Sequence, residues 1–418
     1  MVTTGNRTEI CKAKVFLSGN DIQELSNSMI ESGQASLLSL SYAANILLDW
    51  LDDNGLKYDT PDLSNVYGDG LVIKGSRVVY PDELDRIFRS VSLFRERQTG
   101  MVDRLGRFDE RAIVWDISEP WVDNLAREIA LDLDPFFESR ESKRFQVIIT
   151  HDMDRTTPFE PFSILNSFGS ASGIRKSPWW PIMTSLSPHA IIKTCERLLE
   201  YERSCGIGAY YFMMSGPFGF GRFSTRTDIR WGLSRELVMQ IQQAGMNIGL
   251  HGSYGARDAC TYKQEKDQLE EVIGHPILTH RNHYLRFDPE KIYSQLDTAG
   301  IAYDFSIGFG SKVGFRAGLG GIYRGFDFSK GHSSIVRSVP LLFMDSGFFA
   351  HDPEIYLHEL RLSLLKVKKV SGCVSLLFHP EEFLIYPDGW AIFTRIINLC
   401  MELGADLSGY LPPSVSDK

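Results

Sequence analysis

The hydrophobic rhythm of the chain changes near Phe145. Before it, apolar positions recur at helical spacing in Ser39 to Asp52 (SLSYAANILLDWLD) and in Pro81 to Phe94 (PDELDRIFRSVSLF), where a proline stands near the helix start. A further helix is expected over Pro120 to Leu131, with short β-like pieces such as Gly70 to Ile73 between. From Phe145 on, short β-rich apolar runs alternate with amphipathic helical patterns. The runs are Phe145–Thr150, Ala209–Met214, Asn247–Leu250, Ile277–Thr279, Ile301–Phe305, Ile335–Phe343 and Cys373–Phe378. The helical patterns are Pro188–Arg203, Ser234–Ala244, Lys263–Ile273, Pro289–Ala299, Pro353–Val370 and Trp390–Leu403. Gly245, Gly274 and Gly300 each follow one of these, where helix C-terminal caps stand.

Alternation of this kind predicts parallel β/α units with covered sheet faces. Roughly seven units suggest a barrel or near-barrel, with a doubly wound open sheet as the rival. The charged segment Asp134 to Arg144 has no periodic apolar face and marks the expected boundary. Residues 1–140 then form a smaller mixed α/β domain and residues 141–418 the β/α barrel. The irregular stretch Pro158 to Pro188 follows the first strand directly, where such barrels grow active-site loops.

Composition changes this picture little. The chain has 418 residues, of which 43% are hydrophobic and 23% charged, as in ordinary globular proteins. A net charge of -9 argues against a nucleic-acid binder. No apolar run is long enough for a membrane span. The start, MVTTGNRTEICKAKVF, lacks a signal peptide's apolar core and cleavage site, so a cytoplasmic protein is expected. The six cysteines form no CxxC pair and suggest neither a structural zinc site nor a redox dithiol.

The candidate chemistry stands at the predicted strand ends. Asp152 and Asp154, two residues apart after FQVIIT, can face one pocket, one holding a metal and the other serving as a base. His251 ends the next but one strand, His280-Arg281-Asn282-His283-Tyr284 follows Ile277–Thr279, Asp304 ends Ile301–Phe305, and His379 follows Cys373–Phe378. Singly, each also fits a cap or a polar core residue. Together they recur at the face where β/α barrels collect catalytic groups.

With these residues in view, the chain resembles the polysaccharide deacetylase superfamily, the carbohydrate esterase family 4-like enzymes. It is most similar to the branch with a THDVD-type first motif and a GLHPSY-type second motif. The resemblance covers roughly Phe145 to Leu403, and more weakly the earlier region with Gly106-Arg107-Phe108-Asp109. It implies an irregular (β/α)7 barrel and metal-dependent removal of an acetyl group, N-acetyl first, from a sugar or polysaccharide precursor. It implies Asp152 as general base, Asp154 and His251 as metal ligands, and Arg281 as the residue holding Asp152. Tyr284 would give a backbone N–H to the oxyanion, His379 would be the general acid, and Asp304 would tune it. A divalent cation, Zn²⁺ first, is the implied cofactor.

Three departures stand out. Gly255 occupies the place of the common second metal histidine, so the missing ligand falls to His283 or to His280. The usual R-x-P-Y reads Arg281-Asn282-His283-Tyr284, and Gly252 stands where that branch usually has proline. Arg316 and Tyr254 are candidate substrate contacts, Arg316 for a phosphate or carboxylate, and Trp179, Trp180, Tyr210 and Tyr211 for stacking on sugar rings. The alternatives are hydrolysis of a cyclic amide and a non-catalytic, carbohydrate-binding barrel.

Overall fold

The computed structural model describes residues 37–63, 66–139, 145–154, 190–217, 229, 232–350 and 352–413. Val147, Ile148 and Ile149 have no exposed surface, the burial on both faces that a covered parallel strand requires. They lie in β1 (Gln146–Met153). In chain order follow β2 (Tyr210–Met213), β3 (Asn247–Gly252), β4 (Thr279–Asn282), β5 (Tyr303–Asp304), β6 (Tyr323–Asp327), β7 (His332–Ser338), β8 (Leu341–Met344) and β9 (Cys373–Phe378). They form one nine-stranded sheet in the order β6-β7-β5-β4-β3-β2-β1-β9-β8. Among the described strands only the β6–β7 pair is antiparallel.

The sheet curls. Phe212 on β2 and Phe305 just past β5 meet at 5.2 Å between ring centres, although β3 and β4 separate them along the sheet. Ile148, Tyr210, Tyr303 and Val339 complete this inner core. No ladder pairs β7 with β8. Irregular backbone spans the gap instead, with Val339 N–H on the Asp304 carbonyl (2.8 Å), Leu341 N–H on that of Ile307 (2.8 Å) and Ser375 N–H on that of Pro340 (2.7 Å). Gly308 permits the approach, since a Cβ there would stand 2.5 Å from Leu341.

This mixed α/β half-barrel differs from the expected (β/α)7 barrel. Among the described residues no helix separates β5, β6, β7 and β8. The single strand expected over Ile335–Phe343 is two, β7 and β8, with Pro340 between them lacking the N–H a ladder needs. Elsewhere the helices fall close to expectation. After β1 they are Ala190–Ser204, Gly232–Gln243, Ala259–Ile273, Ile292–Thr298, Pro353–Lys369 and Gly389–Glu402. Gly245, Gly274 and Gly300 take φ of +77°, +78° and +74°, the left-handed cap that glycine adopts without penalty.

The described residues before 140 are helical, with two isolated antiparallel bridges (Leu71 to Val79, Val102 to Phe108) in place of the expected strands. Their main helices are α1 (Leu37–Asp53), α2 (Pro81–Val91), α3 (Phe94–Thr99) and α4 (Trp121–Leu133). In α2, Leu84, Ile87, Phe88 and Val91 make the buried stripe. The expected continuation to Phe94 breaks at Leu93, whose φ is +59°. These helices share one core with the sheet: Tyr42 and Phe88 pack on Phe326 of β6 at 5.0 and 5.1 Å. Part of the expected boundary segment, residues 140–144, lies outside the described residues.

A buried ion pair joins the two regions. Arg316 donates from Nε to Glu96 Oε1 (2.9 Å) and from Nη2 to Glu96 Oε2 (2.7 Å), and from Nη1 to the Gly308 carbonyl (3.0 Å). Arg316 is therefore committed to Glu96, with its side chain 5% exposed, and the expected substrate contact is not there. Removing one partner leaves an uncompensated buried charge. Glu96→Leu is expected to cost about 3–5 kcal/mol in urea unfolding, and the Glu96→Leu/Arg316→Met double variant to recover most of it.

Candidate metal and hydrolytic centre

Residues Thr150 to Met153 form the C-terminal end of β1, not a loop after it. Alternation along the strand divides their roles. His151 points outward: its Nε2–H donates to Glu202 Oε1 (2.6 Å), and the Tyr211 hydroxyl donates to Glu202 Oε2 (2.8 Å). Thr150 and Asp152 point inward. There Arg281, on β4 and wholly buried, donates from Nη1 to Thr150 Oγ1 (2.8 Å) and Asp152 Oδ1 (2.9 Å), and from Nε to the Phe305 carbonyl (3.0 Å). Its guanidinium carbon lies 4.7 Å from the Phe212 ring centre.

Beside this pair, Asp154 Oδ1, His251 Nε2 and His283 Nδ1 converge. The separations are 3.0 Å from Asp154 to His251, 3.2 Å from Asp154 to His283 and 3.2 Å between the imidazole nitrogens. Donors bound to one tetrahedral zinc at about 2.0–2.1 Å would stand about 3.3 Å apart, so the cluster fits such an ion. His251 Nδ1–H donates to the Arg281 carbonyl (3.0 Å), which leaves the Nε2 lone pair facing the cluster. The free Asp152 Oδ2 stands 3.7 Å from that nitrogen. Arg281 neutralises Asp152, so the remaining charge is the Asp154 carboxylate. Burial opposes that charge, but His283 and His251 outweigh it and hold the Asp154 carboxyl well below the usual range. Burial also opposes protonation of His251, whose pKa is raised by Asp152 and Asp154, while burial lowers that of His283.

His283, not His280, joins the cluster. His280 Nδ1–H donates to Asp304 Oδ1 (2.8 Å) and its ring packs against Tyr262 at 5.2 Å. Asp304 also accepts from the Ser306 hydroxyl (2.6 Å), and Ser306 Oγ accepts from Asn282 N–H (2.9 Å), one residue before His283. Asp304 thus braces the end of β4 and does not reach His379. Beyond β4 the chain turns through Tyr284 and Leu285, with φ of +62° and +53°. Left-handed non-glycine residues cost of order 1–3 kcal/mol each and cluster at functional sites. The Tyr284 ring lies 3.7 Å from that of His283, and the Tyr284 carbonyl accepts from Arg107 Nη1 (3.4 Å).

The carboxylate on His379 is Asp345, which sequence reasoning missed. The register pairs His151 with Phe378, setting His379 beside Asp152. His379 Nδ1–H donates to Asp345 Oδ1 (2.7 Å), and its backbone N–H donates to Asp345 Oδ2 (2.6 Å). Burial opposes protonation, but Asp345 raises the His379 pKa well above the ordinary value. An Asp directly after the apolar run Leu341–Met344 repeats the strand-end signal that identified the other residues.

Other candidates are placed differently. Tyr210 and Tyr211 are core residues whose hydroxyls bind Gly409 O (3.0 Å) and Glu202, so they do not face a sugar. Trp179, Trp180 and the stretch Pro158 to Pro188 lie outside the described residues. Gly255 is exposed, and a Cβ there would meet only Ser253 Oγ, at 3.5 Å. Gly252 has no such room: its Cβ would stand 2.7 Å from His280 Nε2 and 2.8 Å from Asn282 Oδ1. Tyr254 is half-buried near Tyr284, 6.1 Å between ring centres.

No protein-family model and no curated protein sequence matches the chain. Among solved structures it is similar to a protein described as a polysaccharide deacetylase from Mycobacterium smegmatis, at 15% identity and a TM-score of 0.43, over 65% of this chain and 88% of that one. It is also similar to Puue allantoinase, at 13% identity and a TM-score of 0.41, over 62% and 84% of the two chains. A carbohydrate esterase family 4 pseudoenzyme from Bacillus anthracis matches at 10% identity and a TM-score of 0.32, over 63% of each chain. With every TM-score below 0.5, none of these likenesses assigns an activity to this chain. Among the described residues no helix is long and apolar enough to cross a membrane.

The His379–Asp345 pair gives a signed prediction. Asp345→Asn removes the anion that favours the imidazolium and leaves the burial that opposes it. The His379 pKa, followed by NMR titration, is expected to fall, so that the imidazole loses its proton at lower pH than in the parent protein.

Proposed function

We propose that the chain is a metal-dependent hydrolase that removes an acetyl group, N-acetyl first, from a sugar or polysaccharide precursor. In this reading residues 141–418 carry the reacting groups. The observation that carries it is the Asp154–His251–His283 donor triangle beside an Asp152 carboxylate held by buried Arg281. Two imidazoles and one carboxylate, with an anionic base alongside, are the donor set of a hydrolytic divalent-metal site, zinc first.

Asp154, His251 and His283 would hold the ion. Bound there, it would supply Lewis acidity and a water whose pKa falls toward about 7. Asp152 takes the water's proton at Oδ2, since Oδ1 is engaged by Arg281. Arg281 fixes the rotamer of that carboxylate through the bond to Oδ1. The Tyr284 N–H is assigned to the oxyanion. His379, held through Nδ1 by Asp345, gives a proton from Nε2 to the departing sugar nitrogen. The products are acetate and the free amino sugar.

The test is metal content by elemental analysis together with acetate release from acetylated sugars. Near-stoichiometric metal is expected in the parent protein, with loss in Asp154→Ala, His251→Ala and His283→Ala. Asp152→Asn should keep the metal and lower kcat by about 10²–10⁴-fold, the usual contribution of a positioned base. Metal binding without hydrolysis of any acetylated sugar or cyclic amide would favour the non-catalytic reading. Absence of metal under every loading condition would overturn the mechanism.

A further inference from the structure

A cavity of about 430 Å³ lies between the segment 96–108 and the loops that follow β3 and β4. Phe108 and Phe287 give it apolar wall, Asn282 joins it to the His283 turn, and Arg257, Arg286 and Lys291 line it as well. Of its acids, Glu96 is spent on Arg316, while Asp288 accepts from Glu290 N–H (3.2 Å), has Lys291 at 3.9 Å and acts on Arg286 from beyond ion-pair distance. Arg97, also in the wall, is paired with Glu290.

Arg257 and Arg286 are different. Among the described residues neither has a carboxylate within 4.0 Å. Both lie against the Tyr254 ring, their guanidinium carbons 5.3 and 4.4 Å from its centre. They are therefore within about 10 Å of each other, roughly one Debye length at 0.1 M salt. Arg286 Nη1 donates to the Tyr254 carbonyl (2.6 Å), but Nε, although buried, has no partner. Both side chains line the cavity without a carboxylate paired to either, which leaves two guanidiniums open to an anion there. The ring contacts His283–Tyr284 (3.7 Å) and Tyr284–Tyr254 (6.1 Å) link this pair to the metal cluster.

We propose that Arg257 and Arg286 form an anion subsite in this cavity that takes a phosphate or diphosphate group. Guanidinium forks match phosphoryl oxygens, and a doubly charged group balances both cations where a carboxylate would balance one. The volume exceeds what phosphate alone needs and lies in the range of organic ligand sites, with apolar wall for the group that carries it. Placing that phosphate on the sugar substrate rests on the deacetylase reading; the anion binding itself does not.

The experiment titrates inorganic pyrophosphate into the metal-free full-length protein by calorimetry at low salt. Saturable binding is expected, weakened roughly 10-fold or more by Arg257→Gln and by Arg286→Gln, and less by Arg286→Lys. Asp154→Ala should bind as the parent does, which separates this subsite from the metal centre. Arg257 is exposed, so its variant reports even where Arg286→Gln fails to fold. No binding, equal binding in the Arg257→Gln variant, or loss of binding in Asp154→Ala would overturn the proposal. None of these outcomes depends on hydrolysis, so the two readings fail separately.

Discussion

A guanidinium with no exposed surface sits inside the curled sheet, and the geometry at its mouth follows from satisfying it. Desolvating Arg281 is costly unless an anion and further acceptors meet it in good geometry. Asp152 and Thr150 on β1 meet its Nη1 and the Phe305 carbonyl beyond β5 meets its Nε, across the width of the curl, while Nη2 has no hydrogen-bond partner among the described residues. The same pairing engages one Asp152 oxygen and leaves the other free. The Arg281 carbonyl meanwhile orients His251. One residue thus fixes both the carboxylate beside the donor triangle and the tautomer of one donor within it.

The third donor shows how a site can be completed from a different element. His251 and His283 come from β3 and from the turn after β4, adjacent strands whose register sets His251 against Arg281. The turn that presents His283 is left-handed at two successive residues, and Arg107 from the helical region binds its carbonyl. Glu110 adds bonds to Gly310 N–H (2.6 Å) and to Ser311 on the neighbouring loop. The region before residue 140 therefore contributes to the shape of the mouth as well as to the shared core.

What was legible in the sequence was local. The run FQVIIT and the residues after it read as a strand carrying chemistry at its end, because burial and alternation are written in consecutive positions. The ends of β3, β4 and β9 read in the same way. Partnerships across the fold were not legible. Arg316 carried no mark of Glu96, 220 residues away, nor His379 of Asp345, because no periodicity encodes a contact between segments distant in the chain. Tyr210 and Tyr211 stood as candidates for stacking on a sugar because a strand's pattern does not say which hydroxyls find buried acceptors. Between β5 and β8 only the runs Ile301–Phe305 and Ile335–Phe343 stand out in the sequence; β6 lies outside both, and Pro340 divides the second into β7 and β8.

Gly252 carries a consequence for how such a chain can change. The space a side chain would take there is already filled by the His280 ring and the Asn282 amide from the next strand. Any larger residue at position 252 has to arrive after, or together with, a smaller one at 280 or a retreat at 282. The bond from His280 to Asp304 holds that ring in place, so the shift a Cβ at 252 demands falls on a side chain that is already anchored.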